Sequence, residues 1–306
     1  MRYELITVLG PTAVGKTRLA VRLAGEFNGE IISADSRQVY KFMDIGTGKD
    51  LDEYVINGRK IEYHLINIIE PAAEFNLYLF QKKFFEAFDK IKSKNKIPFL
   101  VGGTGLYLSS VLQGYNLPEV NFDKDRIAAL QKLSKNELRN KLKSLNPNLH
   151  NKTDLEIKER IIKAILIAEK KPPQAKSGKL KVDSLVIGIR VNPDVLRNRI
   201  TRRLKKRLEE GMITEVENLL QKGITHERLK LFGLEYKFIS MYLQKELSYN
   251  DMFQKLNSAI YKFAKRQMTW FRKMEREGIK INWIEGAGFE KAKEIIEAEF
   301  FEKHET

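Results

Sequence analysis

No cysteine occurs in the 306-residue chain. That excludes a disulfide framework, thiolate metal sites, iron–sulfur clusters and a cysteine nucleophile. Histidine is almost as scarce: His64, His150, His226 and His304 stand far apart without ligand-like spacing, which argues against a histidine zinc site. No apolar run approaches the roughly 18 residues of a membrane span, and the opening residues lack the basic-then-apolar pattern of a signal peptide. Internal repeats at the 20–50-residue periods of solenoids are absent as well. The expectation is a soluble, cytoplasmic protein with no membrane partner. Hydrophobic residues make up 42% and charged residues 31%, enough apolar content for a sizeable core.

Acidic charge is in short supply: 40 Asp plus Glu face 55 Lys plus Arg, a net +15. The excess is uneven. Residues 1–117 are nearly neutral at +2, residues 118–182 carry +8, residues 183–280 carry +9, and residues 281–306 carry −4. Clustered basic charge suits a polyanionic partner, because each neutralised phosphate releases a counterion. Lysine on solvated helix faces would give the same totals, so charge alone leaves nucleic acid binding open.

The pattern along the chain is α/β. Apolar, β-branched runs at 5–9, 30–34, 63–69, 97–101 and 184–189 read as buried strands. Helical periodicity at 16–27, 75–92 and 106–112 alternates with them, which predicts a parallel sheet with helices on both faces. Residues 122–171 show helical segments only, and 170–181 (KKPPQAKSGKLK) is linker-like. The simplest architecture is one α/β core, residues 1–117 and 183–306, interrupted by an all-helical insertion at 118–182. Long basic helices fill 193–277, and 279–284 is an edge-strand candidate.

Gly10-Pro11-Thr12-Ala13-Val14-Gly15-Lys16-Thr17 matches G-x-x-x-x-G-K-[ST] between a strand and a helix. Its glycines let the backbone curl so that N–H groups face phosphate oxygens, and the helix N-terminus adds positive potential. Lys16 supplies a point charge, and the Thr17 hydroxyl stands where it can ligate Mg²⁺. P-loop kinases and ATPases place an acid after a later strand. Here the strand at 97–101 runs into Gly102-Gly103-Thr104-Gly105, without one. The acid that does end a strand is Asp35, before Ser36-Arg37-Gln38. It reads either as a cap of the next turn or as a base or metal group at a sheet edge where ligands bind.

Five stretches taken together resemble the tRNA dimethylallyltransferase (tRNA isopentenyltransferase) family: GPTAVGKT at 10–17, ADSRQVYKFMDIGTGK at 34–49, HLINIIEP at 64–71, VGGTGLYL at 101–108 and AKRQMTWFR at 264–272. The resemblance runs from residue 5 to about 285 in the family's order. It implies a P-loop-like α/β enzyme that transfers a dimethylallyl group from dimethylallyl pyrophosphate to the exocyclic amine of adenosine at tRNA position 37, releasing pyrophosphate. Residues 10 and 12–17, with Arg199 and Arg203, would then hold a leaving pyrophosphate, and a Mg²⁺ ion on Thr17 would neutralise it. Asp35 would act as base or orient the amine. Lys16, Thr17 and Thr104 complete the implied catalytic set. Ser36, Arg37, Gln38 and Thr104 would surround the adenine, which must leave its stack. The resemblance also implies tRNA contacts at Arg126, Glu159, Arg160, Lys163, Lys265 and Arg266, with the anticodon stem-loop as partner and a monomeric enzyme.

The residues themselves are compatible with this assignment. Arg199 and Arg203 stand four apart in the acid-free run 197–207 and so share a helix face. Bidentate donors there suit pyrophosphate, although a solvated basic face has the same sequence. Between 256 and 276, Leu256, Ile260, Phe263, Gln267, Trp270 and Met274 form an inward stripe, while Lys262, Lys265, Arg266, Thr269, Lys273 and Arg276 recur on another face. Trp270 and Phe271 read as core rather than as stacking platforms.

Two stretches depart from the family's pattern. Arg160-Ile161-Ile162-Lys163-Ala164-Ile165-Leu166 stands where many members have Arg-x-x-Arg-Ala-Leu-Glu, which trades a guanidinium fork for a lysine. Residues 230–237 (KLFGLEYK) replace a Gly-Tyr-(Lys/Arg) stretch. Three rivals remain at this level. They are a cytokinin-type enzyme prenylating free adenine nucleotides, a small-molecule P-loop kinase, and an RNA-binding protein with a vestigial phosphate site.

Overall fold

Six apolar runs pair into one parallel sheet. The computed structural model of the protein describes residues 3–117, 124–145, 158–169 and 181–301. Its strands are β1 (Leu5–Leu9), β2 (Gly29–Ala34), β5 (Tyr63–His64), β6 (Ile97–Gly102), β7 (Ser184–Arg190) and β8 (Asn282–Glu285), in the order β5-β2-β6-β1-β7-β8. Every pairing in it is parallel. A separate antiparallel pair joins β3 (Val55–Ile56) to β4 (Arg59–Lys60).

Helices cover both faces. α1 (Lys16–Glu26) follows β1, while α2 (Leu77–Ser93) and α3 (Gly105–Leu112) flank β6. After β7 come α7 (Pro193–Glu209), α8 (Met212–Gln221), α9 (His226–Leu231), α10 (Leu234–Leu243) and α11 (Tyr249–Arg276), and α12 (Phe289–Ile296) follows β8. The polar residue ahead of several of these fixes where they start: Asn76, Asn192 and Ser248 accept N–H bonds of the first turn of α2, α7 and α11. Strand alternation divides the core in two. Ile6, Val8, Ile31 and Phe99 pack with α1, α7, α8 and α10, while Leu5, Leu9, Ile32 and Leu100 pack with α2 and α3.

α11 joins these two cores. Met252, Leu256, Ile260 and Ala264 belong to the first, and Phe271 and Met274 to the second. The buried residue between them is Gln267.

Two expectations need correction. The strand predicted over 63–69 ends at His64, because Leu65 and Asn67 turn into left-handed backbone (φ 64° and 57°) and only Ile69 returns to bridge Tyr40. Phe263, expected on the inward stripe of α11, is exposed. Ala264 and Phe271 take the buried phase instead, since the stripe steps 256, 260, 264, 267, 271, 274.

By proximity the chain divides into one unit of residues 1–114 and 181–306 and a second of 115–180. Gly114 (φ 66°) lies so close to Lys181 that a Cβ would come within 2.9 Å of the Lys181 backbone nitrogen, so the chain leaves and re-enters the α/β unit at one point. The second unit holds α4 (Lys124–Gln131), α5 (Lys135–Leu145) and α6 (Lys158–Glu169) around a core of its own, including Leu130, Leu138, Leu142, Ile161 and Ile165. The predicted linker falls almost wholly outside the described residues.

Candidate active site

The sheet order places three loops side by side. β2, β6 and β1 are neighbours, and Ala34, Gly102 and Leu9 share one row of the ladder. The next residues along are Asp35, Gly103 and Gly10. Crowding explains the glycines: a Cβ on Gly102 would sit 2.3 Å from the Ala34 carbonyl oxygen, and one on Gly10 would sit 2.7 Å from that of Ile189. The C-terminal ends of parallel strands, where such loops gather, are the usual ligand-binding edge of an open α/β sheet.

The loop after β1 curls as its sequence requires, with Ala13 and Gly15 in left-handed backbone (φ 64° and 92°). α1 opens at Gly15 without a side-chain cap, so its N-terminal amides face outward as an anion cradle. Lys16 Nζ donates to the Pro11 carbonyl at 2.6 Å. Burial, and then the charge of Arg203, push the Lys16 ammonium down to about 7, against the opposing pull of Asp35. From α7, Arg199 Nη1 donates to the Val14 carbonyl (3.4 Å) and Arg203 Nη1 reaches Thr12 Oγ1 (3.5 Å). Both arginines therefore meet the loop rather than extending into solvent.

On the neighbouring strand end, Asp35 Oδ1 accepts the Arg37 N–H at 2.8 Å, which is the turn-capping geometry. Among the described residues the carboxylate has no other hydrogen bond, so capping leaves its second oxygen uncommitted. Thr104 Oγ1 accepts the Ser36 N–H at 3.1 Å and ties the loop after β6 to this turn. Gln38 is buried and spoken for: its amide accepts from Ser33 Oγ (2.9 Å) and donates to the Gly48 carbonyl (3.1 Å). It braces the turn from beneath.

The MDIGTGK stretch has a structural explanation. Glu215 of α8 accepts the N–H groups of Asp44, Ile45 and Gly46 at 2.7, 2.7 and 3.0 Å, and the Tyr236 hydroxyl at 2.7 Å. Lys49 is fully buried and donates to the Tyr40 carbonyl, Asp44 Oδ1 and Asn67 Oδ1. Consecutive amides closing on a carboxylate form an anion nest, and a buried ammonium with three acceptors is satisfied. These charges shape the loop beside the site. Within the departing stretch at 230–237, Tyr236 and Phe232 both enter the core, and Phe232 packs edge-on against Tyr40 at 4.8 Å.

Three residues of the site escaped the sequence reading. Gln267 Oε1 accepts the Thr12 N–H (2.9 Å) and its Nε2 donates to the Gly103 carbonyl (3.0 Å), stitching two of the three loops together. Its place as the polar member of an apolar stripe was the available signal. Asp50 and Arg207 carried none. Asp50 Oδ2 lies 2.9 Å from Arg203 Nη2 and 3.5 Å from Arg207 Nη2.

The expected RNA-contacting residues lie elsewhere on the two units. Lys265 and Arg266 are exposed on α11, held over the rings of Tyr261 (4.8 Å) and Phe263 (5.8 Å). Trp270 is partly buried, with its indole N–H donating to Ser109 Oγ at 2.9 Å. In the second unit Arg126 pairs with Glu169, and Glu159 and Lys163 are exposed on α6. The Arg160 side chain lies outside the described residues.

No cluster of three or more His, Cys, Asp or Glu suited to a metal exists among the described residues. The donor set at the cradle is a half-buried Thr17 hydroxyl at the second position of α1. It fits Mg²⁺, which keeps water and phosphate oxygens and takes few protein ligands. Among the described residues no helix is long and apolar enough to cross a membrane.

Sheet, loop and helix thus define a P-loop α/β protein. Residues 38–274 match the family described as IPP transferase, and residues 3–70 match one described as isopentenyl transferase. The chain is 54% identical over 286 residues to tRNA dimethylallyltransferase 1 of Azobacteroides pseudotrichonymphae, covering 92% of this chain and 93% of that one. It is 52% identical over 289 residues to tRNA dimethylallyltransferase 2 of Pelobacter propionicus, covering 94% and 91%. The crystal structure of full-length tRNA isopentenylpyrophosphate transferase from Bacillus halodurans is similar with a TM-score of 0.68 at 31% identity, over 98% of this chain and 95% of that one. The chain belongs to the IPP transferase family.

Proposed function

We infer that this chain is a tRNA prenyltransferase, moving a dimethylallyl group from dimethylallyl pyrophosphate to the exocyclic amine of adenosine at tRNA position 37. One observation supports this above the others: Asp35, with an uncommitted carboxylate oxygen, stands at the strand end beside a phosphate-type cradle, and the loop between them carries no acid. A nucleotide hydrolase needs an acid or amide to activate water. An alkyl transfer needs a diphosphate holder and a proton acceptor for the amine.

The loop amides, Lys16, Arg199 and Arg203 bind the diphosphate and stabilise the charge that grows on it as the carbon–oxygen bond breaks. The amine nitrogen forms the new bond to the first allyl carbon. Asp35 takes the N–H proton on its uncommitted oxygen or orients the amine for the attack. Thr104 and Ser36 hold the turn that aims the carboxylate. Thr17 would hold Mg²⁺, which supplies charge neutralisation to the pyrophosphate oxygens. Arg37, Lys265, Arg266 and the basic second unit, with Arg126, Glu159, Arg160 and Lys163, serve the anticodon stem-loop. Its phosphates suit the net +8 of residues 118–182.

Purified protein with Mg²⁺ and radiolabelled dimethylallyl pyrophosphate tests the inference when given an unmodified anticodon stem-loop, AMP or ATP. Label in the RNA is the expected result. Label in AMP alone would make the chain a free-nucleotide prenyltransferase, and ATP hydrolysis without label transfer would make it a kinase-like P-loop enzyme.

A further inference from the structure

Helix α7 presents arginines at 199, 203 and 207, one turn apart on adjoining faces, and the third behaves unlike the other two. Arg199 and Arg203 reach the phosphate-type loop. Arg207 is 8% exposed, and its Nη2 is shut off from solvent without any hydrogen bond among the described residues. The pocket around it is built for it. A Cβ on Gly48 would fall 1.6 Å from Arg207 Nη2 and 2.3 Å from Arg203 Nη2, so only glycine lets both guanidinium groups lie against that backbone. A buried donor left unsatisfied is costly, and more so when it is charged. A fold that keeps one at the rim of its ligand site holds it for a partner that arrives.

The partner is already nearby. Asp50 Oδ2 bonds Arg203 Nη2 at 2.9 Å, while the same oxygen lies 3.5 Å from Arg207 Nη2, an ion-pair distance without hydrogen-bond geometry. Asp50 stands in left-handed backbone (φ 44°) ahead of the short 3₁₀ turn Leu51–Tyr54, which fixes where its side chain starts. One carboxylate thus pairs with the arginine that reaches the phosphate-type loop, and a second, unsatisfied arginine lies within reach of that carboxylate. Burial, and then the charge of Arg203, hold Arg207 down at about 10, as an unfulfilled cation beside another should be. The charge of Glu235 of α10 also acts on it, but the two form no ion pair among the described residues.

We propose that Arg207 is a positioning residue for donor binding: when the diphosphate takes Arg203, Asp50 transfers to Arg207, which frees Arg203 and keeps the displaced carboxylate paired. The role rests on the reading of the loop as the donor's diphosphate site. Asp50 is thereby a built-in competitor of the diphosphate, and Arg207 sets how weakly it competes.

The test is calorimetric titration of inorganic pyrophosphate with Mg²⁺ into the full chain, its Asp50→Ala, Arg207→Met and Arg207→Lys variants, and the Asp50→Ala/Arg207→Met double variant. Circular dichroism checks that each is folded. Asp50→Ala should bind pyrophosphate several-fold more tightly, because the competitor is gone. Arg207→Met should bind about tenfold more weakly, the scale of one lost charged hydrogen bond, and Arg207→Lys should recover part of that. The double variant should match Asp50→Ala, since Arg207 has nothing left to receive. Equal weakening by Arg207→Met with and without Asp50 would mean that Arg207 contacts pyrophosphate directly, and would overturn the proposal. So would an Arg207→Met protein that binds like the parent. If the parent chain itself binds no pyrophosphate, the donor-site reading falls and takes this proposal with it, an outcome distinct from either of those.

Discussion

Gln267, near the middle of the 28-residue helix α11, accepts the Thr12 amide of the phosphate-type loop at 2.9 Å. The same side chain donates to the Gly103 carbonyl, so one amide group sets the spacing of two ligand-edge loops. Replacing it with alanine removes both bonds and leaves a partly buried N–H and a buried C=O without this partner. Expected is a loss of about 1–3 kcal/mol at the site, read as a ten- to hundredfold fall in kcat/KM for the prenyl donor. Gln267→Glu keeps the acceptor for Thr12 and loses the donor to Gly103, so it should fall between parent and alanine. Steady-state kinetics with donor varied would decide it, and a Gln267→Ala protein with unchanged kcat/KM would count against the stitching role.

Asp35 carries two possible duties that one substitution separates. Asparagine retains an Oδ1 to accept the Arg37 N–H and so preserves the turn, but it cannot take a proton. Asp35→Asn should keep the melting temperature and the donor KM close to the parent values while kcat falls by about 10²–10⁴, the usual contribution of a positioned base. Retention of full kcat would show that Asp35 only caps the turn.

Much of this was legible in the chain. Apolar runs and helical periodicity gave the strand–helix alternation, and G-x-x-x-x-G-K-T between them marked the cradle, because backbone curl and a lysine at fixed spacing are local requirements. Residues whose partners are far away in sequence were not legible. Gln267 meets Thr12 across 255 positions, and Glu215 meets the 44–46 amides across about 170. Nothing near either residue signals the bond. The strand predicted to reach Ile69 failed for the same reason: Asn67 is bent out of the ladder, where its side-chain Oδ1 accepts from the buried Lys49. Phe263 misled because the step after Ile260 is four residues rather than three, which turns Ala264 inward and leaves Phe263 exposed.

Glu30 offers a stability test away from the site. Its side chain is fully buried in β2 and is met by Lys96 (2.8 Å), Lys94 (3.0 Å) and His64 (2.8 Å). Burial pushes its carboxyl upward, but the hydrogen bonds from Lys96, His64 and Lys94 outweigh that and hold it at about 2, below its ordinary 4.5. A depressed carboxyl contributes stability above its unfolded value, and that contribution is lost as pH falls through the folded value. Glu30→Gln should therefore cost about 2 kcal/mol at pH 7, and the gap should close as pH falls from about 4.5 toward 2. Urea unfolding of both proteins at pH 7 and pH 3 measures it. A gap that is the same at both values would mean the charge is not what stabilises.

Lys16 has the opposite sign. Its ammonium is held near 7 in the folded, ligand-free protein, against 10.5 ordinarily, by burial and by Arg203. The unfolded chain therefore binds the extra proton between pH 7 and 10.5, and stability rises with pH across that window. Below pH 7 both states are protonated and the full cost of the half-buried cation is felt. Lys16→Met should therefore stabilise the empty protein at pH 6 by about 2 kcal/mol, a modest figure for a half-buried ion. A bound diphosphate reverses the preference, because an anion favours the charged lysine. Pyrophosphate binding at pH 8 should then draw a proton onto Lys16, and affinity should weaken as pH rises above 7. Calorimetry in two buffers of different ionisation enthalpy reads the proton directly. Pyrophosphate's own titration is common to the parent and Lys16→Met, so it cancels in the difference. Uptake of close to one proton by the parent relative to Lys16→Met at pH 8, fading to none at pH 6, is the expected result. Equal proton counts for the two proteins at both pH values would show that Lys16 is already charged before the ligand arrives.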